Sequence, residues 1–345
     1  MVFLHSLVEA PLFETPVTQI LDALRLDARA ETERIVGAIR ATLSGELMRR
    51  GVVLGMSGGV DSSVCAALAA RAVGAKRVLA LFMPERDSDP LSLTLACNWA
   101  ETLGIPYIVE DITPVLEGAR CYWRRDEAIR RLIPQYGEGW RAKLVLPESR
   151  SAQDSLNVSR LVVESPVGDS LTMRLPAPEY LQIVAATSFK QRTRKMLEYY
   201  HADRQHYAVV GTANRLERDQ GFFVKGGDGA ADLMPLAHLY KTQVYQLAEF
   251  LGVPAEITSR PPSSDTYSLP QSQEEFYFSL PPGLMDQMLF AFDNVISAES
   301  AAAQCGLSVE EVRRTYRDIE QKRRTTRPLH LPAILVDPLR EAAVD

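Results

Sequence analysis

Residues 52–63 read Val-Val-Leu-Gly-Met-Ser-Gly-Gly-Val-Asp-Ser-Ser. The run from Val52 to Met56 is apolar and partly β-branched, the pattern of a central parallel strand. Gly58 and Gly59 carry no Cβ, so the backbone there can turn sharply and approach a ligand closely. The chain then enters a helix. A helix N-terminus offers free N–H groups and a favourable dipole to an anion. Ser57, Ser62 and Ser63 add hydroxyl groups. Asp61 breaks the trend, because a carboxylate beside a phosphate cradle repels its ligand unless a cation lies between them. Asp61 therefore reads as a Mg²⁺ ligand.

A serine-capped strand-to-helix turn needs only one of these residues. Two adjacent glycines, flanking serines and an acid directly after a buried strand exceed that need. The Gly-Lys-Ser/Thr ending of a Walker A loop is missing. The loop instead resembles the pyrophosphate-binding loop of the ATP-pyrophosphatase superfamily. That likeness implies cleavage of ATP between the α and β phosphates and adenylation of a substrate oxygen.

A chain of 345 residues can bury a large core. Its 46% hydrophobic and 24% charged content is ordinary for a soluble enzyme. The net charge of −6 argues against a nucleic-acid substrate, which favours a basic surface. This weighs against tRNA-modifying members of the superfamily. Cys65, Cys97, Cys121 and Cys305 have neither metal-site spacing nor a Cys-x-x-Cys pair. With no signal peptide or long apolar span in the sequence, the expected location is the cytoplasm, away from membranes. Position 2 is Val2, so a glutaminase domain with an N-terminal cysteine nucleophile is expected to be absent.

Apolar periodicity over 16–50 predicts two helices broken near Asp27. After strand 52–56 and a helix over 62–73, strands are expected at Arg77 to Met83, Tyr107 to Glu110 and His206 to Val210, with a helix at 89–103. Strands alternating with helices predict a doubly wound α/β fold whose parallel sheet is covered on both faces. Its ligands should lie beyond the carboxyl ends of the strands. The polar clusters Ser57 to Asp61, Pro84 to Arg86 and Gly211 to Glu217 fall at those ends. Residues 112–188 fit the alternation poorly. Leu156 to Glu164 and Leu171 to Leu175 alternate around a turn at 165–169 and predict a β-hairpin insertion. After 270 the pattern is helical, with a capping box at Ser308 and Glu311 and a proline break at Pro328. The expected organisation is N-terminal helices over 1–50, an α/β domain over 51–270 with an insertion at about 112–188, and a helical C-terminal extension over 271–345.

A second constellation narrows the chemistry. It comprises Gly211-Thr212-Ala213-Asn214-Arg215-Leu216-Glu217, Gly221-Phe222-Phe223-Val224-Lys225-Gly226-Gly227-Asp228-Gly229, Leu239-Tyr240-Lys241-Thr242-Gln243 and Pro261-Pro262-Ser263-Ser264-Asp265. Glu217 follows a strand end and is placed to share a metal with Asp61. Lys225, among small residues, can reach phosphate oxygens as a point charge. Taken singly, Glu217 reads as a solvated acid and Lys241 as a surface residue. Beside the first loop that bland reading weakens.

Together these strings closely resemble the NAD synthase family, over about residues 30–111 and 188–330. The likeness implies an adenine nucleotide α-hydrolase-like fold and a homodimer using ATP and Mg²⁺. It implies amidation of deamido-NAD by ammonia through an acyl-adenylate, the ammonia arriving free or from a separate glutaminase. By the same likeness Asp61 and Glu217 bind the metal, while Lys225 and Ser263 contact phosphates during adenylation. Ser57, Gly58, Gly59, Asp61, Ser62, Ser63 and Thr212 hold ATP. Lys225, Asp228, Asp232, Lys241, Lys322 and Arg323 face the acceptor.

The chain also departs from the family. Gly226 replaces a tyrosine and Ala230 a glycine, and Arg86 stands in for a family arginine that contacts ATP. The 112–188 stretch is longer than the family needs. These departures leave the ATP chemistry in place and keep a second carboxylate acceptor open as an alternative.

Overall fold

The computed structural model describes residues 20–146, 159–262, 266–278 and 280–337. Its strands are β1 (Val52–Gly55), β2 (Val78–Phe82), β3 (Tyr107–Val109), β4 (Arg141–Val145), β5 (Arg160–Glu164), β6 (Ser170–Arg174) and β7 (Ala208–Val209). Four of them form a parallel sheet in the order β3-β2-β1-β7. Val52 pairs with Val78 on one side and Ala208 on the other. Side chains alternate across the sheet. Val52, Leu54, Val78, Ala80 and Phe82 enter one buried cluster, whereas Val53, Leu79 and Leu81 enter another on the opposite face. Both faces are covered, so the strand cores are apolar without a break.

The helices are α1 (Ile20–Ala23), α2 (Ala28–Ser44), α3 (Val60–Val73), α4 (Pro90–Leu103), α5 (Thr113–Gly118), α6 (Cys121–Arg130), α7 (Ala177–Gln205), α8 (Arg215–Gln220), α9 (Lys241–Leu251), α10 (Ala255–Thr258), α11 (Pro282–Asp293), α12 (Ala298–Cys305) and α13 (Val309–His330). Asp27 caps α2 by accepting from the Ala30 amide, which explains the break after α1. Small buried residues such as Ala66, Ala67 and Ala69 let α3 pack closely among its neighbours. Asp61 thereby gains a rigid support.

Three features differ from the sequence expectation. The expected hairpin is present as β5 and β6, paired antiparallel around the turn at 165–169, but β4 adds a third strand, giving the order β4-β5-β6. Ala142 and Leu144 of β4 point into a cluster with Ile129, Leu161, Val163 and Ile183. With only two inward side chains, β4 leaves little alternation to read, and residues 156–158 of the expected strand lie outside the described residues. Second, Phe189-Lys190-Gln191-Arg192-Thr193-Arg194, a string that resembles the basic helix start of the NAD synthase family, lies within the 29-residue α7, whose start is set by Pro176 and Pro178. Third, Pro328 lies inside α13, which runs on to His330. The last turn gives up the hydrogen bond that an N–H at 328 would make to the Arg324 carbonyl. Among the described residues no helix is long and apolar enough to cross a membrane.

A buried ion network anchors the chain after β2. Lys190 of α7 donates to Glu85 at 2.7 Å, Asp87 at 2.8 Å and the Thr266 carbonyl at 3.0 Å. Arg125 also pairs with Asp87. Burial works to raise the Asp87 pKa, but the charges of Arg125 and Lys190 outweigh it and hold the group at about 2. A folded-state pKa below the ordinary 3.8 supplies stability above that pH, and this is lost as pH falls through about 2. Denaturant titrations between pH 5 and 2 should therefore lose about 2 kcal/mol from this group. The Asp87→Asn variant should show a shallower acid slope.

Candidate active site

The first loop is built where β1 meets α3. The Met56 amide bonds the Leu81 carbonyl at 2.9 Å, which keeps the chain in the sheet until Ser57. Gly58 then takes φ +76°, and a Cβ there would stand 2.4 Å from the Ser92 carbonyl oxygen. Gly59 is the N-cap of α3, and no side chain caps that helix. The serines brace the loop. Ser62 Oγ donates to the Gly59 carbonyl at 3.0 Å and Ser63 Oγ to the same oxygen at 2.9 Å. Ser57 Oγ accepts from the Gly59 amide at 3.3 Å. Gly58→Ala combines a left-handed backbone with a clash against main chain, so the loop must shift. The variant should lose roughly a hundredfold in kcat/KM for ATP, by the loss of loop donors. Steady-state pyrophosphate release at varied ATP checks this.

Two acids meet beside the loop through one amide. Asn214 ends the turn after β7 and caps α8, accepting from the Glu217 amide at 3.1 Å. Its Nδ2 donates to Asp61 Oδ1 at 3.1 Å. Glu217 accepts from the Asn214 amide at 3.2 Å and from Gln273 Nε2 at 3.1 Å. Lys241, at the start of α9, is 3% exposed and pairs with Asp61 Oδ2. Burial first, then the Asp61 charge, pushes the Glu217 carboxyl well above the usual carboxylate range. Burial opposes the charged form of Lys241, yet Asp61 and Glu217 outweigh it and hold the ammonium. Two half-buried acids thus share one buried lysine, a donor set short of positive charge.

That deficit fits a magnesium ion. Among the described residues no three or more His, Cys, Asp or Glu gather as a metal cluster. Mg²⁺ is commonly held by one or two carboxylates, with phosphate oxygens and water completing the shell. Asp61 and Glu217 suit that arrangement.

Loop and acids open on one cavity of about 700 Å³ at the carboxyl ends of the strands, within the size range of small-molecule sites. Ser57, Gly58, Gly59, Asp61 and Ser62 line it. Thr212, Glu217, Asp228, Lys241 and Lys322 line it from the other elements. A strand–loop–helix cradle and a cation-deficient acid pair on one cavity are parts that binding and cleaving a nucleoside triphosphate require.

The NAD synthase family model matches residues 31–129 and 144–327. The chain belongs to the NAD synthase family. It is 56% identical over 320 residues to the NH(3)-dependent NAD(+) synthetase of Rhizobium meliloti (strain 1021), spanning 93% of this chain and 95% of that one. The NH(3)-dependent NAD(+) synthetase of Thermotoga neapolitana is 36% identical over 85% of this chain and 93% of its own. Among solved structures, the NMN synthetase of Francisella tularensis superposes with a TM-score of 0.59 at 21% identity, over 90% of this chain and 99% of that one. The NH3-dependent NAD synthetase of Campylobacter jejuni does so at 0.57 and 21%, over 90% and 100%.

Five residues that the family likeness assigned to the site stand elsewhere. Ser63 is buried beneath the loop, with its hydroxyl spent on Gly59. Arg86 turns outward and stacks on Tyr122, 3.8 Å from the ring centre. Lys225 donates to the carbonyls of Pro328 at 3.0 Å and Leu331 at 2.7 Å. Asp232 accepts from the Val209 amide at 2.7 Å, fastening the end of β7. Arg323 bridges Asp219 and Asp293 at 2.6 Å. Ser263 lies outside the described residues. In each described case a local partner satisfies the polar group, and sequence spacing cannot reveal that partner.

Other charged groups also line the cavity. Arg194, Lys195 and Glu198 project from one face of α7, and Arg260 lies just before Pro261. Lys195 and Glu198 pair at 2.6 Å. Their i, i+3 spacing was the available signal, but it describes any helical ion pair.

Proposed function

We propose that this chain joins ammonia to the nicotinate carboxylate of deamido-NAD, consuming ATP and releasing AMP and pyrophosphate. The observation that carries the reading is the meeting of Asp61 and Glu217, from separate elements, beside an uncapped glycine loop on one cavity wall. Near-full-length identity of 56% to an NH(3)-dependent NAD(+) synthetase supports the acceptor and the ammonia donor. Fold likeness alone does not choose between acceptors, since the Francisella protein is an NMN synthetase.

In this reading a carboxylate oxygen attacks the α-phosphorus, and the bond to the bridging oxygen breaks with departure of pyrophosphate. Ammonia then attacks the acyl carbon of the adenylate. AMP leaves with the bonding pair, and the new amide loses a proton. Loop amides and the Lys241 ammonium offset phosphate charge in place of Lys225, which faces the C-terminal helix instead. Asp61 and Glu217 would hold Mg²⁺, which when bound neutralises the polyphosphate and eases pyrophosphate departure. Asn214 fixes both acids against their mutual repulsion. No side-chain nucleophile is required, and catalysis rests on positioning and electrostatics.

A homodimer accompanies the reading. Leu181, Met196 and Tyr200 on α7 and Trp123 on α6 are exposed apolar surface suited to a second copy. Sedimentation at micromolar concentration should give twice the chain mass.

The test is pyrophosphate release with ATP, Mg²⁺, ammonium and deamido-NAD. Turnover should require all four and yield NAD. Turnover with another carboxylate but not with deamido-NAD would replace the acceptor.

A further inference from the structure

Arg260 lies on the cavity wall next to the glycine loop. Its Nη1 donates to Ser92 Oγ at 3.3 Å and its Nη2 to Asp89 Oδ2 at 2.9 Å. Ser92 is the residue whose main chain presses on Gly58, so a short run of contacts joins the guanidinium to the loop. The other lysines of the wall are engaged: Lys241 with Asp61, Lys195 with Glu198, and Lys322 with Asp318 at 2.8 Å. Arg194 donates its Nε to the Met83 carbonyl at 3.2 Å, just past the carboxyl end of β2.

A bound triphosphate brings more negative charge than Lys241 and one divalent ion neutralise, and Asp61 adds to the excess. A planar guanidinium offers paired donors matched to phosphate oxygens. Its present partner does not hold it firmly. The Arg260 and Asp89 side chains are 26% and 48% exposed, and partly exposed ion pairs are weak. Asp89 also has a second duty, since it caps α4 by accepting from the Leu91 amide at 2.9 Å.

We propose that Arg260 is a phosphate-binding residue of this site, which exchanges Asp89 for the β and γ phosphates of ATP and then holds the departing pyrophosphate. The proposal rests on the ATP-dependent reading above. Asp89 is the competitor that keeps the guanidinium at the cavity rim until the nucleotide arrives.

Calorimetric titration of the full chain with ATP, pyrophosphate and AMP, each with Mg²⁺, tests it. Arg260→Gln should weaken pyrophosphate and ATP binding roughly thirtyfold, while AMP binding stays within twofold. Arg260→Lys should recover part of the loss, as a point charge without the fork. Asp89→Asn keeps the α4 cap and removes the competitor, so it should tighten pyrophosphate binding several-fold. A structural rim pair would behave differently: Asp89→Asn would weaken binding as Arg260→Gln does, and AMP would suffer equally. Either of those results overturns the proposal, as does wild-type affinity in Arg260→Gln. If the wild-type chain binds neither ATP nor pyrophosphate, the ATP-dependent reading fails and the proposal with it.

Discussion

Glu217→Gln should stop pyrophosphate release while leaving the protein folded and, at neutral pH, more stable. Glu217 is half-buried, and both its desolvation and the nearby Asp61 charge disfavour its ionised form. An acid whose folded pKa lies above its unfolded value costs stability as pH rises past the unfolded value, because ionisation is then favoured only in the unfolded chain. Glutamine keeps the shape and removes that cost. The gain should be on the order of 1 kcal/mol above neutrality and vanish below about pH 4. Activity should move the opposite way, because the amide cannot complete a carboxylate pair for a divalent cation. A fall of roughly a thousandfold in kcat is expected, as for loss of a principal charge-stabilising group. Thermal unfolding at pH 5 and 8 together with a pyrophosphate assay checks both halves. Wild-type turnover in Glu217→Gln would remove Glu217 from the metal site.

Lys241→Met carries the second large effect. Lys241 is the cation paired with Asp61, and it is almost wholly buried. Its loss leaves two acids in a low-dielectric site without that counter-charge. Breaking a buried pair by removing one partner costs about 3–5 kcal/mol. The variant should lose that much in denaturant titrations at pH 8 and less at pH 4, where a carboxyl can take up a proton. Asp61→Asn added to Lys241→Met should restore most of the stability, because the uncompensated charge disappears. Turnover should not return. The arrangement also explains why Lys241 reads as a surface residue in isolation. It opens α9, and helix starts are usually solvated. Only the fold reveals that this start is driven against Asp61.

The parallel sheet was readable because its strands are short apolar runs, each followed by a helix, and Val52 to Gly55 is buried on both faces. Asp61 and Glu217 were also readable as neighbours, since both stand just beyond strand ends in one sheet. What sequence could not show is how each long side chain is satisfied. Lys225 sits in a glycine-rich string beside the site, yet its ammonium finds two carbonyls at the end of α13. Arg86 finds the face of Tyr122. Long flexible cations settle by local geometry, which has no period and no spacing. The same blindness hid β4, and it hid Arg260, whose neighbours on the wall come from a loop and helix more than a hundred residues earlier in the chain.

The central claim is that the glycine loop and the two acids activate ATP for attack by a carboxylate before ammonia takes part. Exchange of labelled pyrophosphate into ATP tests it most directly. With deamido-NAD and Mg²⁺ present and ammonium withheld, exchange should proceed in the wild-type chain and disappear in Glu217→Gln. Exchange that needs no carboxylate acceptor, or none at all while ammonium-dependent NAD formation continues, would contradict the acyl-adenylate and the role given to this site.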